Sequence, residues 1–140
     1  MKKLIILSFI LLLSACSQVS YETISSVDLQ NKLKNNDSFV LVLGNSMNCE
    51  PCVRYKDVAL NEFAKDHEVY LLNIDETKKQ SDMDILIEIL QEDLSINTDK
   101  PVATPSTYLI KDGNLVFSEN GPLIYKQLEE KYNEFVRGRE

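Results

Sequence analysis

The sequence predicts one α/β domain, a mixed central sheet flanked by helices on both faces. Three observations carry that expectation. Two apolar runs of strand length, residues 39–43 and 69–74, alternate with amphipathic helical patterns, as strands buried on both faces do. Two later apolar runs, residues 107–110 and 115–117, flank Asp112-Gly113, a dipeptide that favours a tight hairpin turn. A last helical pattern then closes the chain.

The elements follow in order. Residues 21–24 form a short edge strand. Ser26-Val27-Asp28 opens a helix with Val27, Leu29 and Leu33 on its apolar face, and Asn35-Asn36-Asp37 ends it. After the first buried strand, residues 44–48 make a turn. Residues 49–65 then read as a helix with Val53, Val58, Leu60 and Phe63 among its apolar positions. The second buried strand stops at Asp75, and residues 83–94 form an amphipathic helix through Ile85, Leu86, Ile89 and Leu90. Residues 98–104 are a proline-containing loop. Gly121-Pro122 is expected to open the final helix, which runs through Tyr125, Leu128, Tyr132, Phe135 and Val136. The order is β-α-β-α-β-α-β-β-α.

The N-terminus speaks to compartment. Met1-Lys2-Lys3 is basic, residues 4–13 are apolar except for Ser8, and Leu13-Ser14-Ala15-Cys16 places small residues before a cysteine. This is the layout of a secretory signal, and its apolar run is about half of the ~20 residues that span a bilayer. An aliphatic residue, two small residues and a cysteine resemble the bacterial lipoprotein signal. That resemblance implies cleavage before Cys16 and a thioether-linked diacylglycerol on it; an uncleaved anchor or a plain secretory signal is the alternative. The expected division is a signal over residues 1–15, a lipidated tether over 16–22 and a folded domain over 23–140. At ~3.3 Å per residue, the short stretch after Cys16 is a leash of roughly 20 Å at most, which would keep the domain's chemistry close to the membrane surface. The expected location is therefore the extracytoplasmic face of a cell membrane.

Charge narrows the partners. The chain has 22 acidic and 15 basic residues, a net charge of −7. Loss of Lys2 and Lys3 with the signal takes this to about −9. Such acidity argues against nucleic acid and against docking on anionic lipid. The single histidine, His67, leaves little room for histidine-based catalysis or a Cys-His-His metal site. No metal and no other cofactor is expected, and no apolar seam asks for a dimer, so the chain is expected to be a monomer.

Cys49-Glu50-Pro51-Cys52 carries the chemistry. Two thiols three positions apart lie between a buried strand and an amphipathic helix. At the helix N-terminus, unpaired backbone N–H groups favour the Cys49 thiolate, and Pro51 in the first turn loses no needed hydrogen bond. Cys52, one turn on, is placed to resolve a mixed disulfide formed by Cys49. Two other readings exist. A structural disulfide here would close a tiny loop and constrain the unfolded chain little. Half a zinc site would need two further ligands that the chain does not space suitably. Glu50 reads in two ways: as a negative charge beside Cys49 that opposes the thiolate and makes the couple more reducing, or as a solvated residue at the helix start worth only a few tenths of a kcal/mol. Tyr55 reads as a core residue close to the site.

With these residues in view, the chain resembles the thioredoxin-fold proteins over residues 39–136. Ala103-Thr104-Pro105-Ser106-Thr107, the following strand with Asp112-Gly113, and Gly121-Pro122-Leu123 match the proline, hairpin and pre-helix glycine of that family. The resemblance implies a cis Thr104–Pro105 bond beside the cysteine pair, holding nearby backbone open for an extended substrate peptide. It implies catalytic roles for Cys49, Cys52 and Pro105, with Glu50, Pro51 and Thr104 in support. Leu43 stands where cytoplasmic thioredoxins have a buried aspartate, Leu71 falls near their lysine, and Asn48 replaces their tryptophan. The Glu-Pro between the cysteines is similar to membrane-tethered thioredoxins of cytochrome maturation, and the length and layout to bacteriocin-transport accessory proteins. The expected activity is thiol–disulfide exchange on extracytoplasmic protein thiols and disulfides, reducing or isomerising them, with electrons from a membrane redox donor. The rival expectation is a redox-independent accessory or binding lipoprotein, for example in peptide export or immunity.

Overall fold

The computed structural model describes residues 20–45, 49–77, 79–96 and 102–135. The expectations for the signal, for Cys16, for Asn48, for most of the loop at 98–101 and for Val136 lie outside these residues. Five strands form one mixed sheet: β1 (Glu22–Thr23), β2 (Phe39–Gly44), β3 (Val69–Asn73), β4 (Ser106–Lys111) and β5 (Asn114–Asn120), in spatial order β1-β3-β2-β4-β5. β1, β3 and β2 run parallel, and β4 and β5 pair antiparallel. Every residue of β2 and β3 is buried, as their unbroken apolar runs require.

One face of the sheet carries α1 (Ser26–Lys34) and α4 (Gln80–Glu88). Its core includes Leu29, Leu33, Leu41, Leu43, Leu72, Leu86 and Ile89. α1 starts at a capping box: the Asp28 N–H donates to Ser25 Oγ at 3.1 Å, and the Ser25 N–H donates to the Asp28 carboxylate at 3.2 Å. The expected apolar face is corrected at Val27, which is 42% exposed, while Ser26 beside it is buried. Ser26 shares the buried face with Leu29 and Leu33, at i, i+3 and i+7 along the helix. α4 begins three residues earlier than the apolar pattern suggested and continues through a π-helical stretch, Ile89–Asp93.

The other face carries a helix over residues 50–63 and α5 (Tyr125–Phe135). The first of these is three segments without a break: α2 (Glu50–Arg54), a π-helical stretch (Tyr55–Leu60) and α3 (Asn61–Phe63). Val53 and Val58 were expected in its core and are instead 45% and 68% exposed. The buried positions are Cys52, Tyr55, Ala59, Leu60 and Phe63. The buried stripe runs through Cys52, Tyr55, Ala59 and Phe63, and Val53 and Val58 each stand one residue to its side, on its exposed flanks.

The hairpin forms as expected. Asp112 and Gly113 both take positive φ, 51° and 73°, the conformation of a type I′ turn. Glycine is required at the second position, because a Cβ there would stand 2.7 Å from the Leu33 carbonyl oxygen. α5 begins at Tyr125 rather than at Gly121-Pro122. Gly121 has φ of 109°, and residues 122–124 run outside the helix.

Candidate active site

The parallel strands β2 and β3 point their C-terminal ends at one edge of the sheet, and β4 starts at that same edge. Here β2 leads to Cys49, which caps α2: the Cys52 N–H donates to Cys49 Sγ at 3.2 Å. Cys49 and Cys52 are joined in a disulfide with their Cα atoms 5.2 Å apart. Cys49 is partly exposed, whereas Cys52 is 1% exposed beneath it. Only the first sulfur is therefore open to attack from outside. Pro51 sits in the first helical turn, where no intrahelical bond asks for its nitrogen.

The Thr104–Pro105 bond is cis, and the Thr104 carbonyl oxygen lies 3.9 Å from Cys49 Sγ. The structure thus brings Cys49, Cys52, Thr104 and Pro105 to one place. This segment is tied down at several points. The Gly121 N–H donates to the Pro105 carbonyl at 2.8 Å, and Ser106 Oγ lies 2.6 Å from the Ala103 carbonyl and 3.1 Å from Asn120 Oδ1.

Glu50 is 82% exposed and bonded at 2.6 Å to the guanidinium of Arg54, one turn along. The isolated negative charge expected beside Cys49 is thereby offset, which the sequence reading missed; Glu-x-x-x-Arg spacing in a helix was the available signal. A second missed pair lies below the disulfide. Tyr55 OH and Thr107 Oγ1 are 2.8 Å apart, buried, and join the cysteine-bearing helix to β4. Burial pushes the Tyr55 phenol up to about 12, with the Thr107 bond opposing. Leu43 and Leu71 are both buried, in the cores on opposite faces of the sheet, so neither position supplies a charge or proton.

A groove of about 590 Å³ lies between the cysteine-bearing helix and the segment before α5, lined by Glu50, Pro51, Arg54, Tyr55, Leu123 and Ile124 among others. Among the described residues no group of three or more His, Cys, Asp or Glu could hold a metal ion. No helix among them is long and apolar enough to cross a membrane.

No protein-family model and no curated protein matches the chain. Solved structures do. Thioredoxin from Aeropyrum pernix superposes with a TM-score of 0.61 at 16% identity, over 79% of this chain and 83% of that one. Mitochondrial thioredoxin 3 from Saccharomyces cerevisiae, in its oxidized form, gives 0.60 at 22% identity, over 85% of this chain and 99% of that one. Thioredoxin O2 from Arabidopsis thaliana, also oxidized, gives 0.58 at 17% identity, covering 83% and 94%. The chain has a thioredoxin-like fold, an α/β domain with a mixed five-stranded sheet, and it carries a Cys49–Cys52 disulfide at the C-terminal edge of its parallel strands.

Proposed function

We propose that this chain is a thiol–disulfide oxidoreductase, held by a lipid on Cys16 at the extracytoplasmic face of a membrane, where it reduces or isomerises disulfides of other proteins. The observation that carries the redox reading is the disulfide itself, with one sulfur accessible, the other buried, and the accessible one 3.9 Å from the carbonyl that precedes cis-Pro105. A structural staple would have no use for that asymmetry.

In the reducing direction, the Cys49 thiolate attacks one sulfur of a substrate disulfide. A mixed disulfide forms and the first substrate thiolate leaves. The Cys52 thiolate then attacks Cys49 Sγ and releases the second substrate thiolate, so two electrons pass to the substrate and Cys49–Cys52 is oxidised. The Cys52 N–H is already directed at Cys49 Sγ and favours its thiolate. Among the described residues no other hydrogen bond is donated to that sulfur, and Arg54 is engaged by Glu50. A strong oxidant needs a heavily stabilised reduced form. This site offers one N–H and a helix end, which supports a reducing couple. A thiol-bearing donor protein must then re-reduce the pair.

The anchor reading is supported by the signal-like residues 1–15 and by Cys16. It is tested by metabolic labelling with a radioactive fatty acid, lost in Cys16→Ala. The redox reading is tested by equilibrating the pair against glutathione or dithiothreitol buffers and alkylating free thiols. A potential near ~−270 mV supports a reductant, one near ~−120 mV identifies an oxidant instead, and a pair that resists reduction in both buffers overturns the enzyme reading.

A further inference from the structure

The described chain enters the fold at one end of the sheet and the disulfide lies at the other. Glu22 is in register with Tyr70, so Tyr21 enters level with Val69, the first residue of β3. Tyr21 packs there against the core beneath the helix over residues 50–63. At the opposite end, Gly44 is in register with Asn73, and the path to Cys49 leaves from that end. From Val69 to Asn73 is a rise of ~13 Å at 3.3 Å per residue, and the cysteines lie beyond it.

We infer that the anchored domain stands with its entry end toward the bilayer and its disulfide facing away, so that its partners are proteins whose cysteines lie in water-exposed domains standing off the membrane surface. The inference rests on the lipid anchor of the proposed function. It departs from the expectation, drawn from leash length alone, of an active site beside the membrane. Five residues from Cys16 to Tyr21 reach ~17 Å. They attach at the far end from Cys49, so the height of the domain adds to the leash. A cysteine pair within the bilayer plane is out of reach unless the disulfide end turns toward the lipid.

The lipidated protein, reconstituted in vesicles containing anionic lipid, tests this. Two exposed positions receive a cysteine, Lys34→Cys at the entry end and Glu119→Cys at the disulfide end, with Cys49–Cys52 left oxidised. Each is exposed to a maleimide carried on lipid by a short linker, and its rate is normalised to a water-soluble maleimide. Labelling of the Glu119→Cys protein by the lipid-borne reagent should be slower by about tenfold, because the linker does not span the distance. Equal or reversed rates on protein that floats with the vesicles overturn the orientation while leaving the anchor in place. Protein that does not float overturns the anchor, and the orientation with it. In cells, a Cys52→Ser protein trapped on a cysteine inside a membrane-spanning segment also overturns the orientation.

Discussion

Tyr55 OH and Thr107 Oγ1 lie 2.8 Å apart in the interior, joining the helix that bears both cysteines to the strand that follows cis-Pro105. Tyr55 is three residues past Cys52, and Thr107 is two past Pro105, so this bond sets the spacing of the two halves of the site. Both side chains are sealed from water, so removing one hydroxyl strands the other. Tyr55→Phe should cost about 1–3 kcal/mol in urea unfolding, and Thr107→Val a similar amount. The double variant should cost less than the sum of the two. Strict additivity would show that the bond couples nothing.

The same phenol makes the fold sensitive to alkali. Burial raises the Tyr55 pKa from 10.0 to about 12. A folded-state pKa above the unfolded one means that this contribution is complete below pH ~10 and is lost as pH rises through about 12. Two units correspond to about 2–3 kcal/mol at the top of that window. Stability measured by urea from pH 9 to 12 should fall more steeply for the native chain than for Tyr55→Phe. Parallel curves would assign the alkaline loss to other groups.

Glu50 and Arg54 form an exposed pair one helical turn apart, next to Cys49. Glu50→Gln should raise the reduction potential, because it leaves Arg54 free to favour the thiolate. Arg54→Gln should lower it by freeing Glu50. Exposed pairs contribute only a few tenths of a kcal/mol, so each shift should be on the order of 10 mV, with the double variant close to the native value. The readout is equilibrium against dithiothreitol or glutathione. Shifts of the same sign in both single variants would remove the pair from control of the couple.

Gly113 is fixed by geometry. Its φ of 73° and the Leu33 carbonyl, 2.7 Å from any Cβ placed there, act together. Its N–H also donates to the Asp37 carbonyl at 3.0 Å, so the hairpin is stitched to the end of α1. Gly113→Ala should destabilise the fold by about 1–3 kcal/mol, readable as a lower urea midpoint at unchanged slope. Because the hairpin tip is at the far end of β4 from Ser106, the reduction potential should stay unchanged.

Much of this architecture is legible in the sequence, and the reasons differ by element. The strands β2 and β3 announce themselves because a strand buried on both faces must be apolar throughout. The hairpin does so because positive φ at two successive positions selects Asp-Gly. The pairing of Cys49 with Cys52 was legible in their spacing, and the cis bond at Pro105 in the family resemblance. The pairings Tyr55–Thr107 and Glu50–Arg54 were not read. The first joins residues 52 positions apart, and nothing local to Tyr55 distinguishes a bonded phenol from a packed ring. Val53 and Val58 misled because apolar character was taken for burial, whereas each flanks the buried stripe of Cys52, Tyr55, Ala59 and Phe63. The start of α5 was displaced because Gly121-Pro122 was read as a helix opening, whereas Gly121 turns the chain with φ of 109° and leaves the helix to begin at Tyr125.

The burial difference between the two cysteines makes the most direct prediction about reaction order. Cys49 is partly exposed and Cys52 is 1% exposed, so a substrate disulfide meets Cys49 first. Cys52→Ser should then accumulate mixed disulfides between Cys49 and partner proteins, because the group that resolves them is gone. Cys49→Ser should accumulate none, since the remaining thiol is covered. The readout is non-reducing electrophoresis after acid quenching of cells expressing each variant, with the bands collapsing under dithiothreitol. Equal trapping by both variants would mean that Cys52 becomes accessible once the disulfide opens. Trapping by Cys49→Ser alone would make Cys52 the attacking sulfur and Cys49 the resolving one.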